Sequence, residues 1–301
     1  MKYTKQTYNI IIPMKKIFAA TLLFLLYSFS EAQTIPIHIN DYGFIFIDVT
    51  LNDSVKGKFI FDTGGGFMIV SNKIYKQLTG TLKSGGYYTG FRHDGDRLDG
   101  ELNIFPSLSI GSYRLTGIYG GIYAPLDEYG IDGLVSLKQF EKQPVTIDFK
   151  NKTMTFETAE SLREIEKSAE LLPFVMNTYL DYGLDIFVTL CLNDSVKIKA
   201  ELDTGSGYNL FLVNPYFIPK TIADTTGLKP KEYTSPSGRK STDKTGKINS
   251  VSYCGSSFLN ANNVDVTFRE GLIYEGLIGS GIFKDKILTI DIPNKRLLVR
   301  Q

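Results

Sequence analysis

Apolar residues along this chain come in short runs, broken by glycine and by polar turn pairs, and the runs recur as two sets. Phe44 to Val49 and Val55 to Phe61 flank the turn residues Asn52-Asp53, which predicts a β-hairpin. Leu184 to Leu190 and Val196 to Leu202 flank Asn193-Asp194 in the same way. The hexapeptide Leu51 to Lys56 that joins the first pair is identical to Leu192 to Lys197, which joins the second. The runs are too short and too rich in Val, Ile and Phe to favour helices. Ser71 to Leu78 is an exception, with a helix-capping serine followed by helical spacing. Residues 158–171 are rich in Glu, Lys, Ser and Ala and predict a short helical or flexible linker.

The recurrence extends over most of the chain. Asp41-Tyr42-Gly43 matches Asp181-Tyr182-Gly183 before the hairpins. Ile131 to Ser136 matches Tyr274 to Gly279 after them, and Thr146-Ile147-Asp148 matches Thr289-Ile290-Asp291 near each end. Such spacing identifies a duplication. It divides the chain into a first lobe at 33–157, the linker at 158–171 and a second lobe at 172–301. Polar, turn-rich stretches at 87–103 and 232–248 predict a hairpin in each lobe, either a lid or a plain surface hairpin.

Each returning strand ends in Asp-Thr-Gly, at Asp62-Thr63-Gly64 and at Asp203-Thr204-Gly205, 141 residues apart. A lone Asp-Thr-Gly is first a turn motif. Two in matching repeats offer one carboxylate per lobe, and a pseudo-two-fold axis can set them face to face. Neither glycine loop carries the Lys and hydroxyl of a P-loop or a full GxGxxG, and no GxSxG elbow occurs.

In these residues the chain resembles the aspartic peptidases, the clan of pepsin and the retroviral proteases. The likeness rests on an apolar strand ending in Asp-Thr-Gly and a later apolar strand in each half, Leu134-Val135-Ser136 and Leu277-Ile278-Gly279. It covers about residues 35–301, and is greatest to single-chain, two-lobed, retropepsin-like bacterial proteins. The resemblance implies a mostly β, bilobed acid-protease fold of two duplicated β-barrel halves with a cleft between them. It implies Asp62 and Asp203 as the catalytic pair, Thr63 and Thr204 bonding across to the opposite loop, and Gly64, Gly205 and Ser206 supporting the loops. It implies a hairpin flap, for which Tyr87, Tyr88 and Phe91 are the candidates, and neither a metal nor an organic cofactor. Two positions depart from the pattern. Ser136 stands where Gly is usual, which predicts a first loop held less tightly, and Gly65 stands where pepsin-like members place Ser.

The implied activity is peptide-bond hydrolysis. Two carboxylates about 4 Å apart repel by roughly 4 kcal/mol at an effective dielectric near 20. The pair therefore holds one shared proton over a wide pH range and can activate a water molecule. The alternative is a fold that keeps its cleft without turnover and serves as a peptide-binding or interaction protein.

Composition adds limits. In 301 residues, 43% are hydrophobic and 22% charged, with a net charge of +1, which gives no electrostatic case for nucleic acid or an acidic membrane face. Lys15-Lys16 followed by an apolar stretch from Ile17 to Tyr27, with small residues at Ser30 and Ala32, reads as a signal peptide over 1–32. Met14 is a second candidate start, and export to the periplasm or the medium is expected. The two histidines, His38 and His93, are too scattered for a metal site. Cys191 and Cys254 are left open between a disulfide and two buried thiols. Each lobe supplies its own half of the site, so a monomer acting on a peptide or protein is expected.

Overall fold

The computed structural model describes residues 32–301; the signal-peptide expectation over 1–32 lies almost wholly outside them. The predicted hairpins are present as Ile45–Leu51 with Val55–Asp62 and Gly183–Leu192 with Val196–Leu202. Their turns place Asn52, Asp53, Asn193 and Asp194 at positive φ, a conformation that Asn and Asp tolerate better than most residues.

Each lobe is an eight-stranded sheet with the same strand order. In the first lobe, Val55–Asp62 lies parallel to Gly133–Ser136, and in the second Val196–Leu202 lies parallel to Gly276–Ile278. Both sheets close on themselves through one further pairing. Ile45–Leu51 meets Arg97–Ile110 in the first lobe, and Gly183–Leu192 meets Lys240–Tyr253 in the second. The matched topologies are the structural counterpart of the duplicated sequence. The fold is thus mostly β and bilobed.

Strand alternation decides what faces where. Ile45, Ile47, Val49 and Leu51 enter the main core, as do Phe59 and Phe61 on the next strand, while Phe46 and Ile60 point to the other face. In the second lobe Leu184, Ile186, Val188 and Leu190 are in the core, with Asp185 and Phe187 on the opposite face.

A third sheet, of six strands, joins the lobes. Its centre pairs Val145–Asp148 with Ile287–Asp291 antiparallel, so that Thr146 faces Thr289. Their buried hydroxyls are 2.7 Å apart, and these are repeat-equivalent residues 143 positions apart. The pseudo-two-fold axis passes between them. The stretch expected to be a linker folds as a helix, Ala159–Glu166, followed by Glu170–Pro173, an edge strand of this sheet. Leu162 and Ile165 of the helix pack on Leu298. Ser71 caps the helix Asn72–Leu78 by accepting from the Ile74 amide at 3.2 Å.

Cys191 and Cys254 form a disulfide with Cα atoms 5.1 Å apart. It ties the Gly183–Leu192 strand to the residue after Lys240–Tyr253, across a separation of 63 residues. Loop-closure entropy for that length corresponds to about 4 kcal/mol.

Candidate active site

The two Asp-Thr-Gly loops meet where the lobes meet. The Thr63 amide donates to Thr204 Oγ1 at 3.1 Å, and the Thr204 amide donates to Thr63 Oγ1 at 3.0 Å. Each hydroxyl then donates onward to a carbonyl of the opposite strand, Thr63 to Leu202 at 2.5 Å and Thr204 to Phe61 at 2.7 Å. Both threonines are fully buried. Only a group that accepts and donates at once satisfies four buried backbone atoms this way, which is why a hydroxyl is needed at each position.

Glycine at 64 and 205 has a steric reason. A Cβ on Gly205 would lie 2.4 Å from Asp62 Cγ, and one on Gly64 would lie 2.7 Å from Asp203 Cγ. Each carboxyl group therefore rests against the backbone of the other loop. The two side chains are within hydrogen-bonding reach of one another. Asp62 is 8% exposed, and burial followed by the neighbouring Asp203 charge pushes its carboxyl well above the usual range.

The two loops are not equivalent. Ser206 Oγ donates to Asp203 Oδ2, whereas the donor to Asp62 is the Gly64 amide, at 3.0 Å on Oδ1. Gly65 occupies the place of Ser206, and a Cβ there would come within 2.9 Å of Asp62 Oδ2. Ser136 does not loosen the first loop as expected from sequence. Its hydroxyl lies between two acceptors, Gln139 Oε1 at 3.1 Å and Gly66 O at 3.2 Å, and so stands against that loop. Glycine is needed only at the second-lobe equivalent, Gly279, where a Cβ would meet Gly207 O at 2.1 Å. Chain crossings complete the floor: the Tyr208 amide donates to Tyr42 O at 2.7 Å and the Leu184 amide to Gly66 O at 2.9 Å.

A cavity of about 530 Å³ runs from Asp62 and Gly205 into the first lobe. Phe44, Phe46, Ile60, Ile131 and Leu134 form its apolar wall. Of the three aromatic flap candidates, only Tyr88 lines it, with its ring edge-on to Phe67 at 4.7 Å. Tyr87 and Phe91 are 80% and 58% exposed and play no part in the cavity. They share one face of the strand Lys83–Phe91, and Tyr88 lies on the other.

The two predicted hairpins meet tip to tip. Tyr233 donates to Asp94 Oδ2 at 2.8 Å, and Arg239 Nε donates to Asp96 Oδ1 at 3.3 Å. Arg239 also donates to the Asp94 carbonyl, and the Ser237 amide donates to Asp96 Oδ2 at 3.3 Å. His93 sits 3.2 Å from Arg269 Nη1, and burial followed by the Arg269 charge holds its imidazole below the usual range. The two predicted hairpins therefore form a bridge between the lobes.

No family model and no curated protein matches this chain. Solved structures do. Over 89% of this chain and 94% of theirs, Basic 7S globulin from soybean matches with a TM-score of 0.54 at 8% identity, and edgp with 0.51 at 9%. The chain has the bilobed, pepsin-like fold.

Within that pepsin-like fold, the sequence reading passed over Asp185 and Glu201, two buried acids in the second lobe. A signal was present, since each puts an acid at a place where the first repeat has the apolar Phe44 or Ile60. It also passed over Asp94, Asp96 and Arg239, whose polar hairpin tips look in sequence like any solvated turn.

Proposed function

We propose that this protein is an aspartic-type endopeptidase that cleaves peptide bonds with water activated between Asp62 and Asp203. The observation that carries the reading is the carboxyl pair itself, set within hydrogen-bonding reach on loops locked by Thr63 and Thr204 and open to a cavity of about 530 Å³. In this reading the shared proton resides on Asp62, whose carboxyl burial and the neighbouring Asp203 charge push well above the usual range. Asp203, whose Oδ2 is held by the Ser206 hydroxyl, accepts from the attacking water.

As the water oxygen bonds to the peptide carbonyl carbon, Asp203 takes its proton and Asp62 gives its own to the carbonyl oxygen. The product is a neutral gem-diol. Its collapse breaks the C–N bond as Asp203 passes its proton to the leaving nitrogen and Asp62 recovers one from a diol hydroxyl. Export suits the disulfide, because such bonds persist in oxidising compartments.

A second reading, a cleft that binds peptides without cutting them, is favoured by the similar solved structures, one of which is named for a globulin, and by the bridge across the hairpin tips. Cleavage of quenched-fluorescent peptides across acid to neutral pH separates the two. The peptidase reading expects turnover that Asp62→Asn and Asp203→Asn each abolish, with a statine peptide as a tight inhibitor. Statine binding with no turnover at any pH would select the binder.

A further inference from the structure

The duplicated framework allows the two walls of the cleft to be compared position by position, and they differ in chemistry. In the first lobe Phe46 pairs across strands with Ile60, and this face forms the apolar wall of the cavity beside Asp62. In the second lobe the same cross-strand pair is Phe187 with Glu201. Two residues before Phe46 stands Phe44, and two before Phe187 stands Asp185. Ile131 is replaced in the second repeat by Tyr274, whose ring packs edge-on against Phe187 at 5.2 Å. Three apolar residues of one wall thus become two acids and a phenol in the other.

These acids lack what buried acids need. Asp185 is 5% exposed and Glu201 3%, and among the described residues neither makes an ion pair. Among the described residues Asp185 Oδ1 is fully buried with no hydrogen-bond partner, although Tyr179 and the Gly66 backbone reach the carboxyl, and it lies 3.5 Å from where a Cβ of Gly66 would lie. Carboxyls with no countercharge at such depth cost stability without contributing to the core. Burial raises both in pKa, with the hydroxyls of Tyr179 and Tyr274 only partly offsetting it.

We infer that the second-lobe wall is a subsite for a basic side chain of the bound peptide, with Asp185 and Glu201 as its acceptors. This rests on the peptide cleft proposed above. A lysine or arginine entering there brings donors for both acids and a positive charge that lets them ionise, while its methylene stem lies against Phe187 and Tyr274. The opposite wall takes an apolar side chain. Together they specify a peptide that is apolar on one side of the dyad and basic on the other.

The test uses three peptide libraries, each with one residue fixed as lysine, norleucine or glutamate and the others degenerate. Cleavage sites are read by mass spectrometry on the native protein, and retention is read on Asp62→Asn. Lysine is expected to exceed its near-isostere norleucine by about tenfold at one position beside the dyad in both readouts, with glutamate the poorest. Asp185→Asn/Glu201→Gln should bring the lysine-to-norleucine ratio towards one. Norleucine equal to or better than lysine at every position on the native protein overturns the subsite, with no variant needed. Retention of lysine peptides without cleavage overturns the hydrolytic reading and supports the subsite. Neither cleavage nor retention overturns both.

Discussion

Replacing Thr204 with valine tests the crossed loops without relying on any activity. Valine keeps the shape and removes one hydroxyl, and with it two bonds: acceptance from the Thr63 amide at 3.1 Å and donation to Phe61 O at 2.7 Å. Both backbone atoms are left in a fully buried place with no water to replace the lost partner. A buried polar group stripped of its partner costs about 1–3 kcal/mol, so the pair costs about 2–6 kcal/mol. For a chain of this size that lowers Tm by roughly 5–20 °C. Thr63→Val should cost a similar amount, because Thr63 makes the mirror-image bonds. The double variant should cost less than the sum, since each hydroxyl's bonds depend on the loop position that the other maintains. Thr204→Ser, which keeps the hydroxyl, should recover most of the loss. Thermal and urea unfolding of the four variants measure all of this. A Thr204→Val protein as stable as the parent would refute the claim that these bonds hold the lobes in register.

The bridge between hairpins predicts that Arg239→Ala raises amide exchange at residues 92–96 and 235–239, because it removes the Asp96 ion pair and the bond to the Asp94 carbonyl; unchanged exchange there would sink the bridge. Bonds from Ser235, Ser237 and Arg239 hold Asp96 below the usual carboxylate range, so its contribution is present above the unfolded value of 3.8 and is lost only as pH falls through the lower folded value. Protection of the tips, corrected for intrinsic rates, should therefore be flat from pH 7 down to about pH 4. Asp185 works in the opposite sense. Burial raises it to about 6 from 3.8, so its contribution is whole below 3.8 and is lost as pH rises through about 6. That removes up to about 3 kcal/mol by neutral pH, and Asp185→Asn should flatten the stability profile between pH 4 and 7 by about that much; an unchanged profile would mean the carboxyl is not buried unpaired.

Much of the framework was legible because it rests on local signals. Asn52-Asp53 and Asn193-Asp194 announce their hairpins, Ser71 announces its helix, and the repeat spacing pairs Thr146 with Thr289 before any coordinates. The shared sheet was not legible, because Glu170–Pro173 straddles the end of the expected linker and the start of the second lobe and becomes a strand only when Arg296–Arg300 offers an edge to pair with. The role of Ser136 was misread for a related reason. Sequence shows a departure from glycine, while the bond from its hydroxyl to Gly66 exists only once the strand Gly133–Ser136 lies beside the first loop. Whether Cys191 and Cys254 pair was likewise a question of strand register, since Cys191 lies opposite Ser252 and two positions from Cys254.

A duplicated chain begins with two identical loops, and the differences that remain show which positions the axis constrains. Thr63 and Thr204 are alike because each completes the other's bonds, and a change in one strands backbone atoms in both lobes. Gly64 and Gly205 are alike because each is pressed against the other lobe's carboxyl. One residue further on the coupling ends, and Gly65 differs from Ser206. That single divergence gives Asp203 a hydroxyl donor and Asp62 none, so a pair related by pseudo-symmetry in backbone is unequal in electrostatics. Asp62→Asn and Asp203→Asn are therefore not interchangeable. Asparagine at 62 replaces the carboxyl taken to hold the proton and keeps a donor there, whereas asparagine at 203 puts its amide against Ser206 and removes the acceptor for the attacking water. The first variant should bind a statine peptide more nearly as the parent does, and equal binding by the two would place the proton on neither side in preference.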